Sequence, residues 1–87
     1  MNVHYSSRFR TQYKKLQNDI KAKVRGRIVL LIDDEFNPYL GNHMLSGEYR
    51  GCRSINVTRD WRILYEKYPN GAFHLIAIGT HAQLYGK

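Results

Sequence analysis

"GCRSINVTRDWRILYEKYPNGAFHLIAIG", residues 51–79, decides the fold of this 87-residue chain. It divides into three stretches rich in β-branched, aliphatic and aromatic side chains, at residues 51–58, 61–68 and 72–79. A two-residue corner separates the first pair, and "PNG" at residues 69–71 is a strong turn signal between the second pair. The segment therefore predicts an antiparallel meander of three strands.

The first of these stretches alternates in character, as a strand with two different faces does. Cys52 and Ser54 fall on one side of it, and Arg53, Ile55 and Val57 fall on the other. We expect one of these faces to pack against helices.

The residues before the meander predict a short strand and two helices. "NVHY" at residues 2–5 is a strand candidate, and the serines at residues 6–7 offer an N-cap for the first helix. The second helix begins at Asn18 or Asp19 and ends in the acidic cluster at residues 33–35. Apolar residues recur at helical spacing in both segments, at Phe9, Tyr13 and Leu16 and then at Ile20, Val24, Ile28 and Leu31.

The predicted order is β-α-α-β-β-β, an α+β fold in a single domain that covers residues 1–87. A chain of this length supports one small core. The two-helix hairpin should cover one face of the antiparallel sheet and leave the other face bare. We expect Gly79 to turn the chain sharply at the end of the last strand and to direct His81 and Tyr85 over that bare face.

The charge is the first indication of function. Fourteen Lys and Arg stand against seven Asp and Glu, which gives a net charge of +7. Residues 8–27 hold eight basic side chains and a single acid, Asp19. This excess is compatible with a solvated helix face and also with a polyanionic partner such as a nucleic acid.

The sequence predicts neither a disulfide nor a signal peptide nor a membrane span. Cys52 is the only cysteine, so no internal disulfide forms and a reducing cytoplasm is expected. The stretch "MNVHYSSRFR" at residues 1–10 contains no apolar segment of a signal peptide, and no stretch is apolar over the eighteen or so residues that a bilayer span needs. We expect a soluble, cytosolic protein without a membrane partner.

Two of the four histidines are candidates for acid–base chemistry. His4 and His74 lie within predicted strands and are interpreted as sheet residues. His43 lies in the irregular stretch before the meander, and His81 follows the last strand. Each alone is as compatible with a plain surface position, but the two could converge on one site.

The corner between the first two meander strands carries further candidates. Trp61 is interpreted first as a core or sheet-edge residue, and Asp60 as a residue that either binds the turn backbone or orients a histidine. Arg53, Arg59 and Arg62 surround this corner and could bind a phosphate. One cysteine and four scattered histidines show no metal-ligand spacing, and the sequence has neither a glycine-rich phosphate loop nor a Ser-His-Asp arrangement.

Three spaced motifs give the chain a resemblance to a known family. Residues 43–86 contain "LSGEYRGCR", the corner "DWRILY" and the terminal "GTHAQLY". They resemble "L-x-G-x-[WY]-x-G-x-R", "D-W-x-L-x-Y" and "G-T-H-x-x-L-[FY]" in the RelE/ParE superfamily of type II toxins, most closely in its YafQ branch. The predicted order of elements is similar as well.

This resemblance implies an endoribonuclease that cuts mRNA in the ribosomal A site without a metal or another cofactor. In such enzymes the 2′-hydroxyl attacks its own phosphate, one group takes the hydroxyl proton, and a second group protonates the leaving 5′-oxygen. The resemblance implies that His81 is the general acid and that His43 or Asp60 is the base. It also implies that Tyr85 or Trp61 stacks on an RNA base.

Two positions depart from the YafQ pattern. Asn56 stands where that branch has a further histidine, and Ala77 stands where it has an arginine. In the RelE branch a catalytic arginine follows the aromatic residue of the same corner, as Arg62 does here. The resemblance therefore assigns phosphate stabilisation to Arg62, with Arg53 as the second choice, and leaves Asn56 as a hydrogen-bond donor to the substrate.

The resemblance also implies partners and leaves two alternatives. The partners would be a cognate antitoxin protein, the ribosome and mRNA, with operator DNA bound only through the antitoxin. One alternative is a non-catalytic ParE-like toxin that inhibits a target such as DNA gyrase. The other is a generic basic RNA-binding domain, which would bind with a steep salt dependence and cleave nothing.

Overall fold

The computed structural model describes residues 2–86 as one sheet with helices on its two faces. The strands lie in the spatial order β1-β5-β4-β3-β2. Their bounds are β1 Val3–Tyr5, β2 His43–Met44, β3 Arg53–Asn56, β4 Trp61–Lys67 and β5 Phe73–Thr80. The three meander strands predicted from residues 51–79 are therefore confirmed as the centre of the sheet.

Three helices accompany the sheet: α1 Ser7–Lys14, α2 Asn18–Asp33 and α3 His81–Tyr85. The hydroxyl of Ser6 accepts a hydrogen bond from the Phe9 amide at 2.9 Å, so Ser6 is the N-cap of α1. Helix α2 continues through Gly26 without a break. Over residues 2–86, no helix combines the length and apolar character that crossing a bilayer requires.

The helices α1 and α2 cover one face of the sheet, as predicted. Their apolar stripe contributes buried side chains to the main core, where they meet inward-facing residues of β3, β4 and β5. The helix residues of this core are Phe9, Val24, Ile28 and Leu31, and the strand residues are Ile55, Ile63, Tyr65, Phe73, Leu75 and Ile78. The α+β class is thereby confirmed.

The sheet is mixed, which corrects the expected purely antiparallel arrangement. Strand β1 pairs in parallel with β5, with Val3 opposite Phe73, and the two helices and the other three strands separate these two strands in the sequence. Strand β2 adds a fifth member at the opposite edge. It has only two residues, too few for a period of two to be recognised in the sequence.

The second face of the sheet is partly covered, which corrects the expectation of a bare face. Helix α3 folds back onto this face, and Leu84 is buried against Leu64 and Ala77. Leu45 and Tyr49 pack against the same small cluster. Only the part of this face beside α3 is therefore open, and it forms a cleft rather than a flat surface.

The role expected of Gly79 was wrong, because this residue lies inside β5 and does not make the turn. Its φ angle lies outside the left-handed region. A Cβ atom at this position would come within 3.1 Å of Oε1 of Gln83 and 3.2 Å of Cγ of Leu84. Glycine is needed here because α3 packs closely on the strand. The change of direction occurs at Thr80, the N-cap of α3.

A polar network closes the helix side of the sheet beside the main core. The hydroxyl of the buried Tyr65 donates to Oε2 of Glu35 at 2.8 Å and accepts from the Asn42 amide at 2.6 Å. Lys67 donates to Oε1 of Glu35 at 2.6 Å, and Arg53 donates to Oδ1 of Asn42 at 2.7 Å. The network ties the end of α2 to the segment that leads into β2.

This network makes folding sensitive to acid. Partial burial would raise the pKa of Glu35, but the hydrogen bonds from Lys67 and Tyr65 outweigh burial and lower its pKa below the usual 4.5. A carboxyl group whose pKa is lower in the folded state stabilises that state above its unfolded pKa. That stabilisation is lost as the pH falls through the folded pKa.

We therefore expect Glu35→Gln to lower the free energy of unfolding by about 1.5 to 3 kcal/mol at neutral pH, because hydrogen bonds to a charged group are lost. At a pH well below the pKa of Glu35 the variant and the wild type should converge, since the wild-type carboxyl is then protonated. Urea denaturation followed by circular dichroism measures both values. Glu48→Gln, at an exposed glutamate, is the matched control. It should leave the free energy of unfolding unchanged at both neutral and low pH.

Candidate active site

A cleft of about 660 Å³ opens on the second face of the sheet, next to α3. It is bounded by the segment before β2, by β3 and β4, and by the start of α3. Five predicted site residues and three further residues line it. The lining residues are Gly41, His43, Leu45, Ser54, Asn56, Arg62, His81 and Tyr85.

The floor of the cleft follows from strand pairing. His43 lies opposite Ser54 in the β2–β3 pair, and Asn56 lies opposite Arg62 in the β3–β4 pair. Residues directly opposite in an antiparallel pair project from the same face. Since Ile55 and its neighbours on alternate positions fill the main core, these four side chains project into the cleft instead.

His43 is held in one orientation by the backbone. Its Nδ1 lies 3.0 Å from the carbonyl oxygen of Gly41. A carbonyl oxygen only accepts hydrogen bonds, so we assign the proton to Nδ1. In the neutral ring this assignment leaves Nε2 with a free lone pair. The exposed imidazole can therefore accept a proton from a bound molecule.

Gly41 and Asn56 fit together beneath this histidine. Gly41 has a φ angle of +54°, in the left-handed region that favours glycine. A Cβ atom at this position would collide with the side-chain amide nitrogen of Asn56. The close contact fixes the peptide whose carbonyl orients His43, and it holds the Asn56 amide on the cleft floor.

Arg62 supplies the positive charge of the cleft. Its Nη1 donates to the carbonyl oxygens of Thr58 at 2.8 Å and of Trp61 at 3.0 Å. These two bonds hold one edge of the half-buried guanidinium against the corner between β3 and β4. The fixed fork is suited to bind a phosphate in the cleft.

His81 is positioned by the corner between β3 and β4 and by the cap at the start of α3. Its backbone amide donates to the carbonyl oxygen of Asp60 at 3.0 Å. Thr80 and Gln83 form a capping box in which each side chain accepts from the other residue's backbone amide. The His81 ring lies 4.6 Å from the ring of Tyr85, between centroids. The imidazole is exposed to solvent, and the Tyr85 ring packs against it.

Tyr49 and Arg8 extend this aromatic contact, and neither was among the predicted site residues. The ring of Tyr49 meets that of Tyr85 edge-on at 5.9 Å between centroids. Arg8 donates to the hydroxyl of Tyr49 at 2.9 Å. Tyr49 occupies the aromatic position of the first motif quoted above, so the sequence contained a signal. Its chemistry alone gave no reason to select it.

Arg53, Trp61 and Asp60 are not brought into the cleft. Arg53 shares the face of Ile55, where it bonds Asn42 and lies 5.2 Å from the Phe36 ring centroid. Trp61 packs against the main core, because it is one position out of phase with Arg62 along β4. Asp60 is exposed at the corner and holds His81 through its backbone carbonyl.

The family described as "Bacterial toxin of type II toxin-antitoxin system, YafQ" matches residues 1–86. The chain belongs to the YafQ family. A comparison with curated protein sequences finds no significant match. The resemblance inferred from the three motifs is thus confirmed over nearly the whole chain.

Solved structures agree with the YafQ assignment. YafQ from E. coli strain BL21(DE3) superposes with a TM-score of 0.83 and 26% identity, covering 98% of both chains. YafQ in the E. coli DinJ-YafQ toxin-antitoxin complex gives a TM-score of 0.80 and 27% identity, covering 98% of this chain and 97% of that one. A YoeB/ParE toxin from Agrobacterium tumefaciens shares the fold alone, with a TM-score of 0.78 and 16% identity over 93% and 99% of the two chains.

Proposed function

We propose that this toxin is an endoribonuclease that cleaves ribosome-bound mRNA by attack of a 2′-hydroxyl on the adjacent phosphate. The observation that carries the proposal is the convergence of His43, His81 and Arg62 on one cleft. Two imidazoles and a guanidinium can supply the base, the acid and the positive charge that such a reaction uses. The net charge of +7 favours a polyanionic substrate.

The three residues take separate roles in the proposed reaction. His43 accepts the 2′-hydroxyl proton on Nε2, and the 2′-oxygen forms a bond to phosphorus. The bond from phosphorus to the 5′-oxygen breaks, and the protonated His81 gives its proton to that oxygen. Arg62 binds the non-bridging oxygens, which carry the negative charge of the transition state. The products are a 2′,3′-cyclic phosphate and a 5′-hydroxyl.

The surrounding residues support this division of roles. The Gly41 carbonyl keeps Nε2 of His43 free to act as a base. Tyr85 lies beside His81 at the cleft wall, where its ring can stack on an RNA base at a gain of about 1 to 3 kcal/mol. Asn56 can donate a hydrogen bond to the bound nucleotide from the cleft floor. Within residues 2–86, no three His, Cys, Asp or Glu side chains gather as metal ligands would.

A cognate antitoxin is the proposed protein partner. The chain belongs to a family of type II toxin-antitoxin systems, and the structurally similar YafQ is found in complex with DinJ. We expect an acidic segment of the antitoxin to bind the basic surface of this chain and to silence it. Ribosome and mRNA are the expected partners of the free toxin.

A translation extract tests the proposed function. Purified toxin should cut an mRNA that is being translated, and the new 5′ ends should cluster at particular codons. The same concentration should leave the supercoiling activity of DNA gyrase unchanged. Intact messages together with inhibited gyrase would overturn the proposal in favour of a ParE-like target. Retained RNA binding without cleavage in any condition would leave only a basic RNA-binding domain.

A further inference from the structure

Ser54 is the one residue on the cleft floor whose polar group has no use in the reaction described above. It lies at the centre of β3, and its relative exposure is 0%. Among the described residues, its hydroxyl is the only buried side-chain polar group without a hydrogen-bond partner. Leaving a hydroxyl unpaired and out of water costs folding free energy, so such a group calls for an explanation.

The position of this hydroxyl points to a ligand. Ser54 lines the cleft and lies directly opposite His43 in the β2–β3 register. Arg62, paired with Asn56, is one step along the same floor. Ser54 on β3 thus lies between the strand of the proposed base and the strand of the proposed phosphate-binding cation. A phosphate seated between those two groups would rest on the cleft floor at Ser54.

We propose that Ser54 is a further substrate-binding residue, whose hydroxyl donates a hydrogen bond to a non-bridging oxygen of the RNA phosphate. Phosphate oxygens only accept hydrogen bonds, and serine supplies the donor. The side chain reaches the ligand by turning about its Cα–Cβ bond, for which serine has staggered alternatives. This inference rests on the proposed ribonuclease function.

The experiment compares Ser54→Ala with Cys52→Ala. Cys52 lies two residues earlier on the same side of the chain, outside the cleft, and its substitution also truncates a small side chain. Cleavage is measured on a translated mRNA, and the melting temperature is measured for each protein. Binding is measured by NMR with a short RNA in which every 2′-hydroxyl is methylated, so that the nucleophile is absent.

We expect Ser54→Ala to lower the cleavage rate by about 10- to 100-fold, the value of a hydrogen bond to a charged group. Its melting temperature should equal or exceed that of the wild type, because an unpaired buried hydroxyl is removed. Affinity for the methylated RNA should fall in the same variant. Cys52→Ala should retain the wild-type cleavage rate and affinity.

Three outcomes separate this inference from the proposed function. If the wild type cleaves and Ser54→Ala cleaves equally well, the role of Ser54 is refuted and the ribonuclease proposal stands. If the wild type binds the methylated RNA without cleaving mRNA, and Ser54→Ala loses that binding, the ribonuclease proposal fails and the phosphate contact stands. A lowered melting temperature with unchanged binding would show a structural hydroxyl and overturn the inference.

Discussion

His81→Ala is expected to reduce mRNA cleavage by about 10²- to 10⁴-fold, the usual contribution of a general acid. The 5′-oxygen is a poor leaving group unless it is protonated as its bond to phosphorus breaks. The capping box of Thr80 and Gln83, and the hydrogen bond that the His81 backbone amide donates to the Asp60 carbonyl oxygen, hold the imidazole at the cleft.

The variant should fold as well as the wild type. His81 is exposed, and exposed substitutions usually change the free energy of unfolding by less than about 0.5 kcal/mol. His4→Ala removes another exposed histidine, on β1 and far along the sheet from the cleft in strand order, and serves as the matched control. Single-turnover cleavage by the three proteins is the measurement. Equal rates for His81→Ala and His4→Ala would refute the assignment of the acid.

Arg62→Ala is expected to slow cleavage by about 10²- to 10³-fold, as loss of a group that stabilises a charged transition state does. The substitution should lower mainly kcat, because negative charge on the phosphate oxygens increases as the 2′-oxygen attacks. Arg62→Lys should recover only part of the rate. A lysine keeps the charge but cannot reproduce the planar fork that Thr58 and Trp61 hold in place.

The matched control for this prediction is Arg59→Ala. Arg59 is an exposed arginine at the same corner, so its removal lowers the net charge by the same amount. If general attraction to RNA were the contribution of Arg62, both substitutions would weaken binding alike and leave kcat unchanged. Arg62 also donates hydrogen bonds to two backbone carbonyls, so its removal can lower the fraction of folded protein. Denaturation curves recorded in parallel give that fraction, and the cleavage rates are compared per folded molecule.

The central sheet could be predicted because its signals are local. Alternation along residues 51–58 and the turn at residues 69–71 gave the strands, and helical spacing gave α1 and α2. Strand β2 has only two residues, too few to show a period of two, and the parallel pairing of β1 depends on a contact with a distant segment, which periodicity does not report. The covered second face has the same origin, because Leu84 is buried only once α3 folds back onto Leu64.

The site could be predicted only in part, because the sequence shows which residue types are present but not which face of the sheet each one occupies. The histidine analysis and the family resemblance selected His43, His81 and Arg62, and the structure places all three at one cleft. Arg53 and Trp61 belong to the same motifs but project to the other face, since neighbouring strand positions alternate. Ser54 carries no signal in the sequence, because a serine in a strand is ordinary until its burial and missing partner are known.

The chemical ends of the cleaved RNA test the central claim most directly. A synthetic mRNA bound to ribosomes is cut by the toxin, and the two fragments are analysed by mass spectrometry. Attack by the 2′-hydroxyl predicts a 2′,3′-cyclic phosphate on the upstream fragment and a 5′-hydroxyl on the downstream one, and a single 2′-deoxy substitution at the cut site should prevent cleavage. Fragments that carry a 3′-hydroxyl and a 5′-phosphate, or undiminished cleavage of the deoxy substrate, would contradict the roles given to His43, His81 and Arg62.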